Sequence, residues 1–75
     1  MAHEQPTYLV TGAAGFVGSE LVRQLAGRGF RVRAMARRTE QLGDLTHPAI
    51  EPCKGDVRDR AALDRAMQGV AGVYH

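Results

Sequence analysis

Tryptophan is absent from this chain of 75 residues, cysteine and lysine occur once each, and the aromatics amount to two phenylalanines and two tyrosines. A single cysteine, Cys53, excludes an internal disulfide. With aromatics at 5%, nucleobases would find little to stack on between the basic side chains. The net charge of +2 comes from nine arginines and one lysine scattered over the middle and end of the chain. Only Arg31, Arg33, Arg37 and Arg38 cluster locally, so nucleic acid is not an expected partner. No apolar run approaches the roughly 18 residues of a membrane span, and no membrane partner is expected. The opening MAHEQP has none of the basic-then-apolar layout of a secretory signal. The expectation is a soluble cytoplasmic protein. His3, His47 and His75 lie far apart, and no metal site is expected.

What is present is an ordinary globular composition, 44% hydrophobic and 24% charged. A chain this short forms one domain at most. It buries little more than roughly 60% of the surface its unfolded form exposes, so its stability should be marginal and sensitive to anything bound.

The hydrophobic pattern changes period along the chain. After a polar lead-in ending at Pro6, TYLVT (Thr7 to Thr11) is a short β-rich run bounded by glycine, read as a buried strand. Val17, Leu21 and Leu25 then recur at helical spacing with polar residues between them, which predicts an amphipathic helix ending at Gly27 or Gly29. FRVRAMAR (Phe30 to Arg37) alternates as a second strand, with Phe30, Val32, Ala34 and Ala36 on one side. Arg31 and Arg33 on its other side are read as packed stems with heads in water. Thr39 is expected to cap a short helix through about Leu45. IEPCK (Ile50 to Lys54) reads as a third strand, at an edge because of Pro52, with Cys53 as a small buried hydrophobe. Asp59 then caps a helix striped by Leu63, Met67 and Val70 with Ala62 and Ala66, stopped by Gly69, and GVYH opens a fourth strand. Strands alternating with helices predict an α/β fold with a parallel sheet and right-handed crossovers.

The chemistry sits in VTGAAGFVGSE, residues 10 to 20. A helix N-terminus offers unpaired N–H groups and the positive end of its dipole, and side chains would keep an anion away from them. Gly12 permits the tight turn out of the strand, Gly15 lets a pyrophosphate reach the backbone, and Gly18 lets the helix pack closely on the sheet. The alternative is a merely structural glycine turn. Arginine stands at position 37, nineteen residues after Gly18, where an NAD site wants an acid for the ribose 2′-hydroxyl. Arg37 and Arg38 instead suit a 2′-phosphate, which favours NADP(H) over NAD(H), unless both are simply solvated loop residues. Thr39 could serve the phosphate as well as a helix.

The spacing Gly-x-x-Gly-x-x-Gly after Thr11, in TGAAGFVG, resembles the cofactor motif of the extended short-chain dehydrogenase/reductase superfamily. GDVRD (Gly55 to Asp59) is similar to its acidic motif after the third strand, and GVYH to the start of its fourth-strand motif. Dihydroflavonol-reductase-like and sugar-nucleotide-epimerase-like members share the ARRT type of second-strand ending. The resemblance covers the chain from Tyr8 onward. It implies a partial Rossmann sheet, doubly wound, of about four strands in order 3-2-1-4 with two to three helices. It also implies that Asp56 lies by the adenine ring, although an aspartate between Gly55 and a helix start serves equally as a turn residue. The candidate cofactor-binding residues are Gly12, Ala14, Gly15, Phe16, Val17, Gly18, Arg37, Arg38, Asp56 and Val57.

In the resembled family a tyrosine with a lysine four residues later carries the hydride chemistry. Here Gly12 follows Tyr8 at that distance, Tyr74 has one residue after it, and the only lysine is Lys54, so no catalytic residue is assigned. Residues 1–75 are expected to be the N-terminal part of an NAD(P)-binding Rossmann domain, truncated before its substrate region. The function read from this is the NADP(H)-binding segment of a reductase or sugar-nucleotide epimerase. The alternatives are a non-catalytic NADP-sensing regulatory module of the same superfamily, or a free-standing α/β protein. GVYH, left as a bare edge strand, is expected to drive self-association.

Overall fold

The computed structural model describes residues 6–43 and 45–75. Strands β1 (Thr7–Val10), β2 (Arg31–Ala36), β3 (Ile50–Lys54) and β4 (Gly72–Tyr74) alternate with helices α1 (Phe16–Gly27) and α2 (Arg60–Ala66), and a 3₁₀ turn spans Thr39–Leu42. All strand pairs are parallel, in the order β3-β2-β1-β4. This is the α/β Rossmann arrangement expected from the sequence. Tyr8 faces Val32 and Gly72 across the two ladders, and Val10 faces Ala34 and Tyr74. The chain moves outward from β1 to β3, then returns past β1 to form β4. With right-handed crossovers, that reversal puts α2 on the opposite face from α1.

The alternation in the strands divides two cores accordingly. Val10, Val32, Ala34 and Ala36 pack under Val22, Leu25 and Ala26 of α1, with Leu42 and Leu45 closing that layer. Leu9 and Met35 point the other way and meet Ala66, backed by Ala62, Leu63 and Val70. Cys53 packs against this second cluster, half-buried, and burial pushes its thiol pKa up. β3 is an edge strand, as Pro52 demands: it pairs only with β2, where Pro52 stands opposite Ala34.

Three local expectations are corrected. The segment after β2 is a single 3₁₀ turn ending at Leu42, because Gly43 leaves it at φ +54°. Thr39 lies inside that turn and Arg38 occupies the cap position, with no side-chain cap bond. Met67 is 36% exposed, since α2 ends one residue before it. Arg33 is not a packed stem with its head in water. Its Nη1 donates to the carbonyls of Ala66 at 2.6 Å and Gln68 at 2.9 Å, and its Nε donates to Glu51 at 3.3 Å. A guanidinium thus closes the negative end of α2, while Asp59 caps the other end by accepting from the Ala62 N–H at 3.2 Å.

His3 lies outside the described residues. Among the described residues no helix is long and apolar enough to cross a membrane.

Gly18 is where α1 meets the loop that precedes it. A Cβ there would sit 2.2 Å from the Gly12 carbonyl oxygen and 3.1 Å from the Ala13 Cα, both backbone. Gly27, at the far end of the same helix, would meet nothing within 4 Å. Gly18→Ala is therefore expected to destabilise by about 1–3 kcal/mol, the typical cost of overpacking. Gly27→Ala should be neutral or stabilising by up to about 1 kcal/mol. Urea unfolding followed by circular dichroism separates the two, and equal effects would show that the close approach does not constrain the fold.

Candidate functional site

In open α/β sheets ligands bind outside the carboxyl ends of the strands, where the winding direction reverses. Here that point lies between β1 and β4, and the glycine loop leaves β1 there. Gly12 adopts φ +61°, a left-handed conformation that a side chain would strain. The loop is held on both sides. The Ala13 N–H donates to the Met35 carbonyl at 3.1 Å, and the Thr11 N–H to the Tyr74 carbonyl at 3.0 Å. Gly15 is the N-cap of α1 in extended backbone, and its N–H donates to the Gly12 carbonyl at 3.0 Å. No side chain caps this helix and no acid stands in its first turn. The N–H groups of Phe16, Val17 and Gly18 have no helical carbonyl four residues back, so the positive end of α1 is open to an anion.

A cleft of about 460 Å³ lies on the β2–β3 side of the loop. Gly12, Ala14, Gly15, Arg37, Asp56 and Val57, all candidates from the sequence, line it together with Gln41, Gly55 and Arg58. A second cleft, of about 370 Å³, lies on the β4 side, lined by Val17 and Gly18 with Thr11, Tyr74 and His75. Gly12 and Gly15 border both. Phe16 is 90% exposed and lines neither, and Arg38 also lines neither. The sequence reading therefore located the loop and the β2–β3 wall but missed Gln41, Arg58, Thr11 and His75. For Arg58 the signal was available: an arginine two residues after Asp56 in GDVRD is within reach of that carboxylate.

Asp56 is both a turn residue and a wall of the cleft. Its Oδ1 accepts from the Arg58 backbone N–H at 2.9 Å, an Asx turn, while the Arg58 guanidinium grips the same carboxylate through Nε at 3.1 Å and Nη2 at 2.7 Å. These hydrogen bonds, with the more distant Arg37 charge, lower its pKa to about 2. On the β4 side the Thr11 hydroxyl is 2.8 Å from Nδ1 of His75. Among the described residues no group of His, Cys, Asp and Glu is arranged to hold a metal.

A family model described as NAD(P)H-binding matches residues 12–75. The chain belongs to that NAD(P)H-binding family. It is 46% identical over 69 residues to sterol demethylase protein B of Methylococcus capsulatus, an alignment covering 92% of this chain and 21% of the relative. To the bifunctional dihydroflavonol 4-reductase/flavanone 4-reductase of Pyrus communis it is 39% identical over 85 residues, covering 100% of this chain and 24% of that enzyme. The chain thus spans between a fifth and a quarter of these relatives' length. Among solved structures, a short chain dehydrogenase from Burkholderia cenocepacia in complex with NADP superposes with a TM-score of 0.80 at 28% identity, covering 97% of this chain and 32% of that one. The extended short-chain dehydrogenase/reductase character read from the glycine motif holds.

Because Asp56 titrates below its ordinary 3.8, its pairing with Arg58 stabilises the folded chain at pH values above about 4 and is lost as the pH falls through about 2. Side-chain carboxyl NMR should give Asp56 a midpoint of about 2, and Arg58→Ala should raise it toward 3.8, short of a full return because the backbone N–H of residue 58 and the Arg37 charge remain. A midpoint unmoved by that substitution would show that something other than Arg58 holds the carboxylate down.

Proposed function

We propose that this chain is the NADP(H)-binding segment of an NAD(P)-dependent reductase or epimerase of the extended short-chain type. The observation that carries this reading is the pair of clefts meeting at Gly12 and Gly15, over an uncapped helix N-terminus. A dinucleotide is two nucleosides joined by a pyrophosphate, and that shape asks for two recesses with an anion site between them. In this assignment Phe16, Val17 and Gly18 present backbone N–H groups to the pyrophosphate, and Gly15, with no side chain, lets it approach. Ala14, Asp56 and Val57 border the adenosine, and Arg37 faces the 2′-phosphate with Arg38 beside it. When bound, the nicotinamide supplies hydride chemistry; the residues of this chain bind and orient it.

Arg37 supports NADP(H) in particular. It stands just beyond the end of β2 in the cleft wall, and among the described residues the one carboxylate lining that cleft is already engaged by Arg58. Among the described residues that line it, no further acid stands ready to accept from a ribose 2′-hydroxyl. The relatives' names favour reduction over epimerisation, since the Pyrus communis protein is a reductase. Arg37→Ala should cost about 1.5–3 kcal/mol of NADPH affinity, the worth of hydrogen bonds to a charged group, and leave NADH affinity nearly unchanged. Arg38→Ala should cost less, because Arg38 lines neither cleft. Calorimetric titration with both cofactors decides it, and equal losses for the two would overturn the assignment.

The sheet edges differ in a way that supports self-association. The β3 edge carries Pro52 and Lys54, which obstruct strand pairing, whereas β4 offers an open edge beside Val73 and Tyr74, each 42% exposed. Sedimentation over a concentration series should show reversible association of the chain. A monomer at all concentrations would remove this partner.

A further inference from the structure

Thr11 is the last residue before the chain turns into the glycine loop, and among the described residues it is the one buried polar side chain, 7% exposed. Two groups stand within reach of its hydroxyl, the Tyr74 carbonyl at 3.4 Å and Nδ1 of His75 at 2.8 Å. One ends β4 and the other follows it. Thr11, Tyr74 and His75 all line the β4-side cleft.

The distances decide where the hydroxyl proton goes. A hydroxyl donor lies roughly 2.5–3.0 Å from a good acceptor, so the carbonyl at 3.4 Å is a poor partner, and it already takes the Thr11 N–H at 3.0 Å. Nδ1 stands at a good distance. A ring nitrogen accepts only when it carries no proton, and a neutral imidazole then holds its proton on the other nitrogen. His75 is thereby set as the Nε2–H tautomer. The bond reaches the loop through the next residue, because the Gly12 carbonyl accepts from the Gly15 N–H at 3.0 Å and is the atom that a Cβ at position 18 would strike. Without Nδ1 the buried hydroxyl keeps no well-placed acceptor among the described residues, and it regains one only by turning Thr11. That turn shifts the Gly12 carbonyl, and with it Gly15 and the first turn of α1.

From this geometry we infer that His75 is a positioning residue for the glycine loop: as the Nε2–H tautomer it accepts the Thr11 hydroxyl on Nδ1 and so holds the N–H groups of α1's first turn ready for an anion. The inference rests on the dinucleotide reading above. His75 acts through Thr11, by preorganisation. A loop that lacks this tie has to be ordered when the ligand enters, and part of the binding free energy goes into that ordering.

Two measurements on the chain test this. Nitrogen NMR of the wild-type imidazole at neutral pH should find Nδ1 bare and Nε2 protonated, and Thr11→Val should return the ring to a mixture of tautomers. In calorimetric titration with NADPH, His75→Leu and Thr11→Val should each weaken binding about five- to tenfold, the worth of one neutral hydrogen bond. The double variant should lose no more than either alone, since both remove the same bond. His75→Asn sets an amide oxygen near the place of Nδ1 and should hold affinity within about twofold of wild type. His75→Gln carries its amide one bond farther out and should not, a difference that a mere packing role would not produce. Circular dichroism checks that each variant is folded. A ring protonated on Nδ1, additive losses in the double variant, or equal affinities in His75→Asn and His75→Gln overturns the role of His75 and leaves the cofactor reading standing. A wild type that does not bind NADPH overturns both.

Discussion

The first turn of α1 rests directly on the backbone of the loop that leads into it, and the geometry at the carboxyl end of the sheet depends on that contact. Only hydrogen at position 18 allows it, because a methyl group would lie 2.2 Å from the Gly12 oxygen. The loop cannot move aside to make room. It is tied to β2 through Ala13 and to β4 through Thr11, both by main-chain hydrogen bonds. With the loop fixed from both sides and the helix pressed onto it, the free N–H groups of the first turn end between the two clefts. A bulkier residue would tilt α1 and carry those donors away from the recesses they join.

The reversal of winding between β1 and β4 supplies the rest of the site. Because β1, β2 and β3 are laid down in one direction, the loops that follow β2 and β3 emerge side by side on the same flank of the glycine loop. Arg37 comes from the first and Asp56 with Arg58 from the second, which is how residues about twenty positions apart share one wall. β4 closes the other flank with Tyr74 and His75. An anion-binding loop thus has a charged recess on one side and a more apolar one on the other, an asymmetry matched to a cofactor whose two ends do different work.

The order of elements, the edge position of β3, the Asp59 cap and the glycine loop were legible in the sequence, because each is written in local chemistry: a period, a proline, a capping residue, a spacing. The failures share a cause. Arg33 looked out of place in a buried strand because its partners, the carbonyls of Ala66 and Gln68, lie more than thirty residues away and are brought to it only by the crossover. Thr39 has the chemistry of a helix cap, but Gly43 ends the segment after one turn, and Leu42 and Leu45 are buried by tertiary packing without a helix to carry them. Arg58 was overlooked although its partner is two residues away, since a short-range ion pair is ordinary on a surface and gains meaning only once its surroundings are seen to be a cleft.

β2 shows how position along a parallel sheet decides what an arginine does. Each helix runs antiparallel to the strands, so helix carbonyl ends gather at one rim of the sheet and helix N–H ends at the other. Arg33 reaches the carbonyl rim, where the end of α2 offers it Ala66 and Gln68, and its charge is satisfied within the fold. Arg37, four residues later on the same strand line, has passed to the opposite rim, where α1 and α2 both present their positive ends. No helix terminus neutralises it there, and the Asp56 carboxylate that shares its cleft wall is already held by Arg58. Guanidinium, helix N-terminus and glycine backbone therefore present donors of one sign to a common space. Such a convergence is unfavourable while the space holds only water and becomes favourable when a multiply charged anion enters, so that a chain with so small a core gains stability from its ligand as well as function.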